Sequence, residues 1–364
     1  MILTSRHTTD GVLVRTGHDG TDSFSTLTVE DASMPFNAQL EAIAAALDAV
    51  AGQEGTAVLT RIFLSDPAGQ ADAVRAHIGQ DTPLSVIGQV PLDGTSISAM
   101  VWCRRGAVVT RMGDRMYRVD SDGYSEYWFC GGTSACGDSH AQTVALLDEL
   151  SDNLKSVGLT LEDDCMRTWL FVRDIDFNYK GVVEGRNQVF DRHNLTADTH
   201  FIASTGIEGR TENAASMVML DAVAVTGSGV TAKYIHGTSH LNRTSEYGVR
   251  FERGTVVELP AGKRVFISGT ASIDNKGNIL YEGDAARQTQ RMLENVDVLL
   301  AEAGSSFADV GVMTVYLRNA SDYGVVKNIF DKRFPDTPRV IVLAPVCRPG
   351  WLVEMECVGI IENY

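Results

Sequence analysis

Residues 264–274 read RVFISGTASID, residues 283–319 read GDAARQTQRMLENVDVLLAEAGSSFADVGVMTVYLRN, and residues 127–174 read YWFCGGTSACGDSHAQTVALLDELSDNLKSVGLTLEDDCMRTWLFVRD. The two regions pass in the same order through a strand, a turn of small residues, Gly-Asp, an amphipathic helix, a glycine turn and a β-branched strand. Gly158 and Gly304 follow the helices at the position where a left-handed C-cap is needed. Such self-similarity predicts a repeated structural unit.

A fainter copy precedes these two. Residues 39–51 have an Ala/Leu-rich helical pattern and residues 56–64 (TAVLTRIFL) a strand pattern, and Asp-Thr-Pro83 recurs in the last copy as Asp-Thr-Pro338. The copies therefore span approximately residues 1–112, 113–228 and 229–364, with a glycine-rich linker at 226–229.

The order of strand and helix patterns in each copy predicts a mixed α/β (α+β) unit in which two helices cover one face of a sheet. The other face of such a sheet must be buried against another layer. Three copies in one chain can bury three sheet faces against one another. We therefore expect a closed, pseudo-threefold barrel of sheets, which is an intramolecular pseudo-trimer.

The composition excludes several classes of function. The 364 residues carry a formal net charge of -16, and no Lys/Arg-rich run is present, so we expect no nucleic-acid partner. No apolar run approaches about 18 residues, and the first residues lack a basic start before an apolar core, so we expect no membrane span and no signal peptide. The six cysteines form no C-x-x-C pair and lie mostly in apolar runs, as in a reduced cytoplasmic protein.

The third copy resembles the Rid (YjgF) family. The resemblance rests on Ile-Ser-Gly269-Thr-Ala, Gly283-Asp, Asn295, Val-Tyr-Leu-Arg318, Phe-Pro-Asp-Thr-Pro-Arg339 and Leu-Val-Glu354-Met-Glu356. It implies a chorismate-mutase-like α/β unit that usually forms homotrimers, with active sites in the clefts between subunits. In deaminase members an arginine before the fifth strand holds the substrate carboxylate, and a glutamate in the last strand positions the water that hydrolyses an imine. By motif position these residues are Arg339 and Glu354.

The whole chain also resembles the chorismatases, which are single-chain members of the same superfamily. Tyr247-Gly-Val-Arg250 is similar to a Tyr-Gly-Pro-Arg motif that contacts chorismate, with Val249 in place of the proline, and Cys347-Arg348 precedes Leu-Val-Glu354. This resemblance implies that Tyr247, Arg250 and Arg348 contact the substrate and that Glu354 protonates it. One chorismatase subtype has a cysteine at the position of Cys347.

The chemistry of these residues fits such roles. The planar guanidinium of Arg339 can bind a carboxylate through two hydrogen bonds at the edge of a cleft. A carboxylate such as Glu354 in an apolar strand is costly unless it is paired or used, and partial burial would raise its pKa toward that of a general acid or base. The backbone around Gly269 and Thr270 lets a substrate approach closely. Cys347 is a nucleophile, an acid or a packing residue, and an Arg339–Glu354 salt bridge is the structural alternative.

The three copies provide an internal comparison. Alignment of the sequences places His200 and Leu84 at the position of Arg339, and Met219 and about Ser98 at the position of Glu354. The charged pair therefore occurs once, and we expect one site per chain, with the second copy either structural or the opposite wall of the site.

Three functions remain open. The first is a Rid-type hydrolase that deaminates a 2-imino or enamine acid. The second is a chorismatase-like enzyme that releases pyruvate from chorismate or a similar enolpyruvyl ether. The third is a non-enzymatic binder of small carboxylates. None requires a metal or organic cofactor, and His236 and His240 lack an obvious third ligand. The chain is expected to be a monomeric pseudo-trimer or a weak homo-oligomer.

Overall fold

The computed structural model describes residues 2–79 and 81–362, and its strands form three sheets of one topology. The first unit contains β1 (Leu3–Thr9), β2 (Val12–His18), β3 (Asp22–Val29), α1 (Phe36–Glu54), β4 (Thr56–Leu64), α2 (Pro67–Ile78), β5 (Leu84–Ile87), β6 (Val90–Pro91) and β7 (Ile97–Arg104). The second contains β8 (Val108–Arg111), β9 (Met116–Ser121), β10 (Tyr124–Thr133), α3 (Ser139–Ser156), α4 (Leu161–Asp164), β11 (Cys165–Val172), α5 (Ile175–Arg192), β12 (Ala203–Glu208) and β13 (Val218–Gly227). The third contains β14 (Thr231–Ile235), β15 (Gly254–Leu259), β16 (Gly262–Ala271), α6 (Ala285–Glu302), β17 (Val310–Leu317), α7 (Tyr323–Arg333), β18 (Arg339–Leu343) and β19 (Val353–Glu362).

The strand orders are β1-β2-β3-β7-β4-β5, β8-β9-β10-β13-β11-β12 and β14-β15-β16-β19-β17-β18. In each sheet the last strand of the unit enters the centre, and a helix connects the one parallel pair at the end. The predicted C-terminal glycines are confirmed, since Gly158 and Gly304 have φ of +80° and +72°. At the other end of these helices, the side chains of Asp138 and Asp284 cap α3 and α6.

The boundaries between units differ slightly from the sequence-based ones. The first sheet ends at Arg104, and β8 already belongs to the second sheet, although it lies before residue 112. The two-residue strand β6 leaves the first unit and pairs with β18, where Pro91 lies opposite Val342. This exchange ties the first unit to the third.

The three bare sheet faces pack against one another, and the helices lie outside, as predicted. Phe24, Trp128 and Phe266 occupy equivalent positions in the three sheets, because they pair with the equivalent residues Trp102, Val223 and Val358. The Trp102 ring centroid lies 4.7, 5.8 and 6.5 Å from those of Phe24, Trp128 and Phe266. This aromatic layer fills the middle of the barrel.

A ring of charges closes one end of the barrel. Two residues before the aromatic layer, the equivalent positions carry Asp22, Glu126 and Arg264, one from each unit. Arg104 joins Asp22 and Glu126 at 2.8 Å each, and Arg264 bonds the other oxygen of Asp22 at 2.5 Å. All four side chains are buried, so each charge is compensated by a neighbour from the same or another unit.

The strand register shows which residues of the first and second units correspond to Arg339 and Glu354. Glu354 lies opposite Tyr316, and the equivalent partners Phe171 and Phe63 lie opposite Met219 and Ser98, as the sequence alignment predicted. The counterpart of Arg339 in the first unit is Leu84, also as predicted. In the second unit the counterpart is Ser204, which lies opposite Thr168. The assignment of His200 was therefore wrong, because the loop before β12 is longer than the sequence alignment assumed.

Candidate functional site

A cavity of about 400 Å³ lies between the second and third units. The second unit supplies one wall, from α5 and the middle of β12. The third unit supplies the other wall from β16, the loop at 248–253 and the connection between β18 and β19. The lining residues are Tyr179, Lys180, Val183, Glu184, Arg186, Asn187, Ser204, Thr205, Gly206, Gly248, Val249, Phe251, Arg253, Gly269, Ala271, Ile273, Cys347, Arg348, Trp351 and Glu354. The second copy thus forms a wall of this cavity, which was one of the two roles considered for it.

Glu354 lies at the floor of the cavity. It projects from the central strand β19 and is only 5% exposed. Burial, followed by the charge of Glu356, raises the pKa of the Glu354 carboxyl to about 8, against weaker lowering effects of Arg253 and Arg167. Glu354 is therefore mostly protonated at neutral pH, which is the state that a general acid needs.

Gly269 makes room for this carboxyl. A Cβ atom at position 269 would lie 2.3 Å from Glu354 Oε1 and 3.1 Å from Thr205 Cγ2, so no larger residue fits without movement. The Gly269 N–H donates to Thr205 Oγ1 at 2.9 Å, across the interface between the units. Thr270 does not line the cavity: it is fully buried, and its hydroxyl donates to the Ser268 carbonyl at 2.9 Å.

Glu356 faces the same side of β19 but is held differently. It accepts hydrogen bonds from Arg167 Nη2 at 2.7 Å, Trp169 Nε1 at 2.9 Å and Thr205 Oγ1 at 2.5 Å. Arg61 of the first unit lies 3.6 Å away and pairs with Asp221 at 3.0 Å. This buried network joins all three units directly beneath the cavity.

The cavity is basic. Lys180, Arg186, Arg253 and Arg348 line it, against the carboxyl groups of Glu184 and Glu354. Arg253 donates to the Asn242 carbonyl at 3.1 Å, and the Arg348 guanidinium lies 4.8 Å from the centre of the Trp351 ring. Such an arrangement attracts small anions.

Cys347 lines the cavity and is partly buried. Burial, followed by the nearby Glu354, raises the pKa of its thiol to about 12. The thiol is therefore protonated at neutral pH, which favours packing or hydrogen bonding over attack as a nucleophile.

Arg339 lies elsewhere, and the expectation that it shares one cleft with Glu354 is wrong. Its guanidinium pairs with Asp331 and donates to the Phe334 and Thr337 carbonyls. The charge of Arg15 in the first unit lies near enough to influence it, so it belongs to the interface between the third and first units. The physical reason is the sheet order: β17 separates β18 from β19, and the other edge of β18 pairs with β6 of the first unit, which places Arg339 on that side of the third unit.

Arg250 and Tyr247 are the two remaining predicted residues. Arg250 pairs with Asp191 and donates to the Asn187 carbonyl at 3.2 Å, so it fastens the loop to α5 and does not line the cavity. The backbone of Tyr247 ends a 3-10 turn, Thr244–Tyr247, and its side chain lies outside the described part of the structure.

Within residues 2–79 and 81–362, no three His, Cys, Asp or Glu side chains are placed to hold a metal ion. None of the helices in the same ranges is both long and apolar enough to cross a membrane.

The third unit and the whole chain are similar to different known proteins. Residues 251–361 match the family described as Endoribonuclease L-PSP. A RutC family protein of Pyrococcus abyssi is 31% identical over 103 residues, which are 28% of this chain and 81% of that protein. The 3-aminoacrylate deaminase RutC of Acinetobacter baylyi is 31% identical over 106 residues, 28% of this chain and 84% of that protein. A chorismatase crystal structure aligns with 84% of this chain and 93% of its own, with a TM-score of 0.66 and 22% identity.

Proposed function

The chain belongs to the Rid (YjgF, RutC) family, and on that premise we propose that it is a cofactor-independent hydrolase of a small carboxylate with Glu354 as its acid. One observation carries the proposal: a carboxyl group with a pKa raised to about 8 lies at the floor of a basic cavity. A neutral carboxylic acid can donate a proton to a bound substrate, while cationic side chains hold the substrate's own carboxylate.

The reaction that this geometry favours is hydrolysis of an enolpyruvyl ether. The Glu354 O–H protonates the methylene carbon, and the ether oxygen shares the positive charge that forms on the neighbouring carbon. Water adds to that carbon and returns a proton to Glu354. The resulting hemiketal breaks its bond to the alcohol oxygen, which takes up the hydroxyl proton, so that pyruvate and the free alcohol leave.

Several features support this reaction. Cys347, Arg348 and Glu354, which the resemblance to chorismatases singles out, line one cavity. The likeness to a chorismatase fold extends over 84% of the chain. Arg339, which a Rid-type imine hydrolase would use to hold its substrate, is paired at another interface.

Hydrolysis of an enamine acid is the second candidate. The sequence of the third unit favours it, because that unit is similar to a 3-aminoacrylate deaminase. Glu354 would again protonate a vinylic carbon, after which water attacks the iminium carbon and ammonia leaves. In this chain the arginines of the cavity, and not Arg339, would hold the substrate carboxylate.

The test compares two substrates with two variants. Purified protein is incubated with chorismate while pyruvate is followed, and with enzymatically generated 3-aminoacrylate while ammonia is followed. We expect pyruvate release, its loss in Glu354→Gln, and its retention in Glu41→Gln, which removes an exposed carboxyl on α1 of the first unit, outside the cavity. Ammonia release alone would favour the second candidate. Saturable binding of either acid without turnover would refute both and leave a carboxylate binder.

A further inference from the structure

Two carboxyl groups of one strand meet very different surroundings. Glu354 and Glu356 are two residues apart on β19, so both face the interface with the second unit, and each is 5% exposed. Two buried carboxylates that lie two residues apart on one strand face repel each other, and the groups around each of them decide which one holds a proton.

Glu356 is the one that its surroundings hold by hydrogen bonds and positive charge. One of its oxygens accepts from Trp169, and the other accepts from Arg167 and Thr205. A second guanidinium, that of Arg61, lies 3.6 Å away. The hydrogen-bond donors lie on β11 and β12 of the second unit, and Arg61 lies on β4 of the first unit, so the assembly of the barrel supplies all the partners of this carboxyl group that are named here.

Glu354 has no comparable donors among the described residues. Its Oε1 lies against the bare backbone of Gly269, whose N–H already donates to Thr205. The ionisable groups that face it from the surrounding elements are Tyr179, Lys180, Glu184 and Arg186 on α5, Arg167 on β11, Arg253 before β15, Cys347 and Arg348 before β19, and Glu356 on its own strand. Glu356 is the acidic residue of this set that lies nearest to Glu354 in sequence, and it lies on the same face of the same strand.

We propose that Glu356 is a positioning residue whose fixed charge keeps Glu354 in its protonated, acid form. The proposal rests on the proposed function only in taking Glu354 as the acid. It assigns the units distinct tasks: the first and second hold the charge of Glu356, and the third presents the proton to the cavity.

The decisive measurement is direct titration of Glu354, which requires no substrate. Protein labelled with ¹³C at the glutamate side-chain carboxyl is titrated by NMR, and the Glu354→Gln variant identifies the Glu354 signal. In the wild type we expect this signal to titrate well above the ordinary range of a glutamate. In Glu356→Gln its midpoint should fall by roughly one to two pH units, the effect of a charge roughly 7 Å away at an effective dielectric constant of about 20.

Arg253→Gln provides a control of opposite sign. Removing this positive charge should raise the midpoint of Glu354, whereas a general loosening that admits water would lower it in both variants. If Glu356→Gln leaves the midpoint unchanged, or if Arg253→Gln and Glu356→Gln both lower it, the proposal is overturned.

Loss of Glu356 leaves buried arginines without their counter-charge and could prevent folding. The double variant Arg167→Met/Glu356→Gln removes one of them as well. Its midpoint should still fall, because Glu356 influences Glu354 more strongly than Arg167 does. An unchanged midpoint in the folded double variant would count equally against the proposal.

The two proposals fail separately. If the titrations behave as expected but neither chorismate nor 3-aminoacrylate is turned over, only the proposed function is wrong. If pyruvate is released, the high-pH limb of kcat should move to lower pH in Glu356→Gln, while its value at low pH is retained. If pyruvate is released but the high-pH limb of kcat stays at the same pH in Glu356→Gln, only the proposed role of Glu356 is refuted.

Discussion

Glu354→Gln should gain stability relative to the wild type as the pH rises. Burial and the charge of Glu356 raise the pKa of Glu354 from 4.5 to about 8 in the folded chain. The stability associated with its proton is therefore fully present below the unfolded pKa and is lost as the pH rises through the folded pKa. At about 1.4 kcal/mol for each pH unit that separates the two pKa values, the wild type loses about 5 kcal/mol over this window. Glutamine cannot ionise, so the variant loses none of it.

Urea unfolding followed by tryptophan fluorescence measures the difference. The free energy of unfolding of the variant minus that of the wild type should grow by about 3 kcal/mol between about pH 5.5 and about pH 7.5, since each pH unit contributes about 1.4 kcal/mol. Glu41→Gln, at an exposed position on α1 outside the cavity, should follow the wild-type curve. If the Glu354→Gln and wild-type curves run parallel, Glu354 is not held in its acid form, and the reasoning behind the site is refuted.

Three further variants test single residues. Gly269→Ala should cost about 1–3 kcal/mol of stability because the added methyl group meets Glu354. Gly324→Ala, in open space on α7, is the control and should cost nothing. Equal urea denaturation midpoints for the two variants would contradict the close contact at Gly269. Cys347→Ala should keep turnover within about tenfold of the wild type, since its thiol pKa is raised to about 12, and complete inactivation would show that the thiol acts chemically. Arg339→Ala should lower stability by about 1–3 kcal/mol without changing KM, and a tenfold rise in KM in a folded variant would return Arg339 to the site.

The sequence was sufficient for the repeat, the sheet-and-helix unit and the place of Glu354 in an apolar strand. Hydrophobic periodicity and the caps of α3 and α6 locate the elements, and alternation identifies Glu354 as a carboxyl in an apolar strand. These are local signals, and local signals survive in a single sequence.

Local signals could not predict which unit packs against each edge of a sheet. Arg339 and Glu354 are close in sequence, yet the sheet order turns them toward different units. The walls from α5 and β12, with Arg186 and Thr205, were missed for the same reason, because their role depends on which unit packs against which.

The charged network beneath the cavity was also missed, although a signal for it was present. Arg61, Arg167 and Asp221 stand in strands that are otherwise apolar, as Glu354 does. The criterion that singled out Glu354, the cost of an unpaired charge in such a strand, applies equally to them.

The charge ring at the other end of the barrel bears on why the three units function within one chain. Asp22, Glu126 and Arg264 occupy one equivalent position, and their signs differ between units. The first unit carries its own compensating charge, because Arg104 lies opposite Asp22. The residues opposite Glu126 and Arg264 are the uncharged Val225 and Ile360, so three identical copies of the second or the third unit would bring three like charges together. Glu126 and Arg264 both find their partners, Arg104 and Asp22, in the first unit. Because the three units are covalently linked, these pairs between units form at any protein concentration, whereas separate units would have to find one another in the right combination.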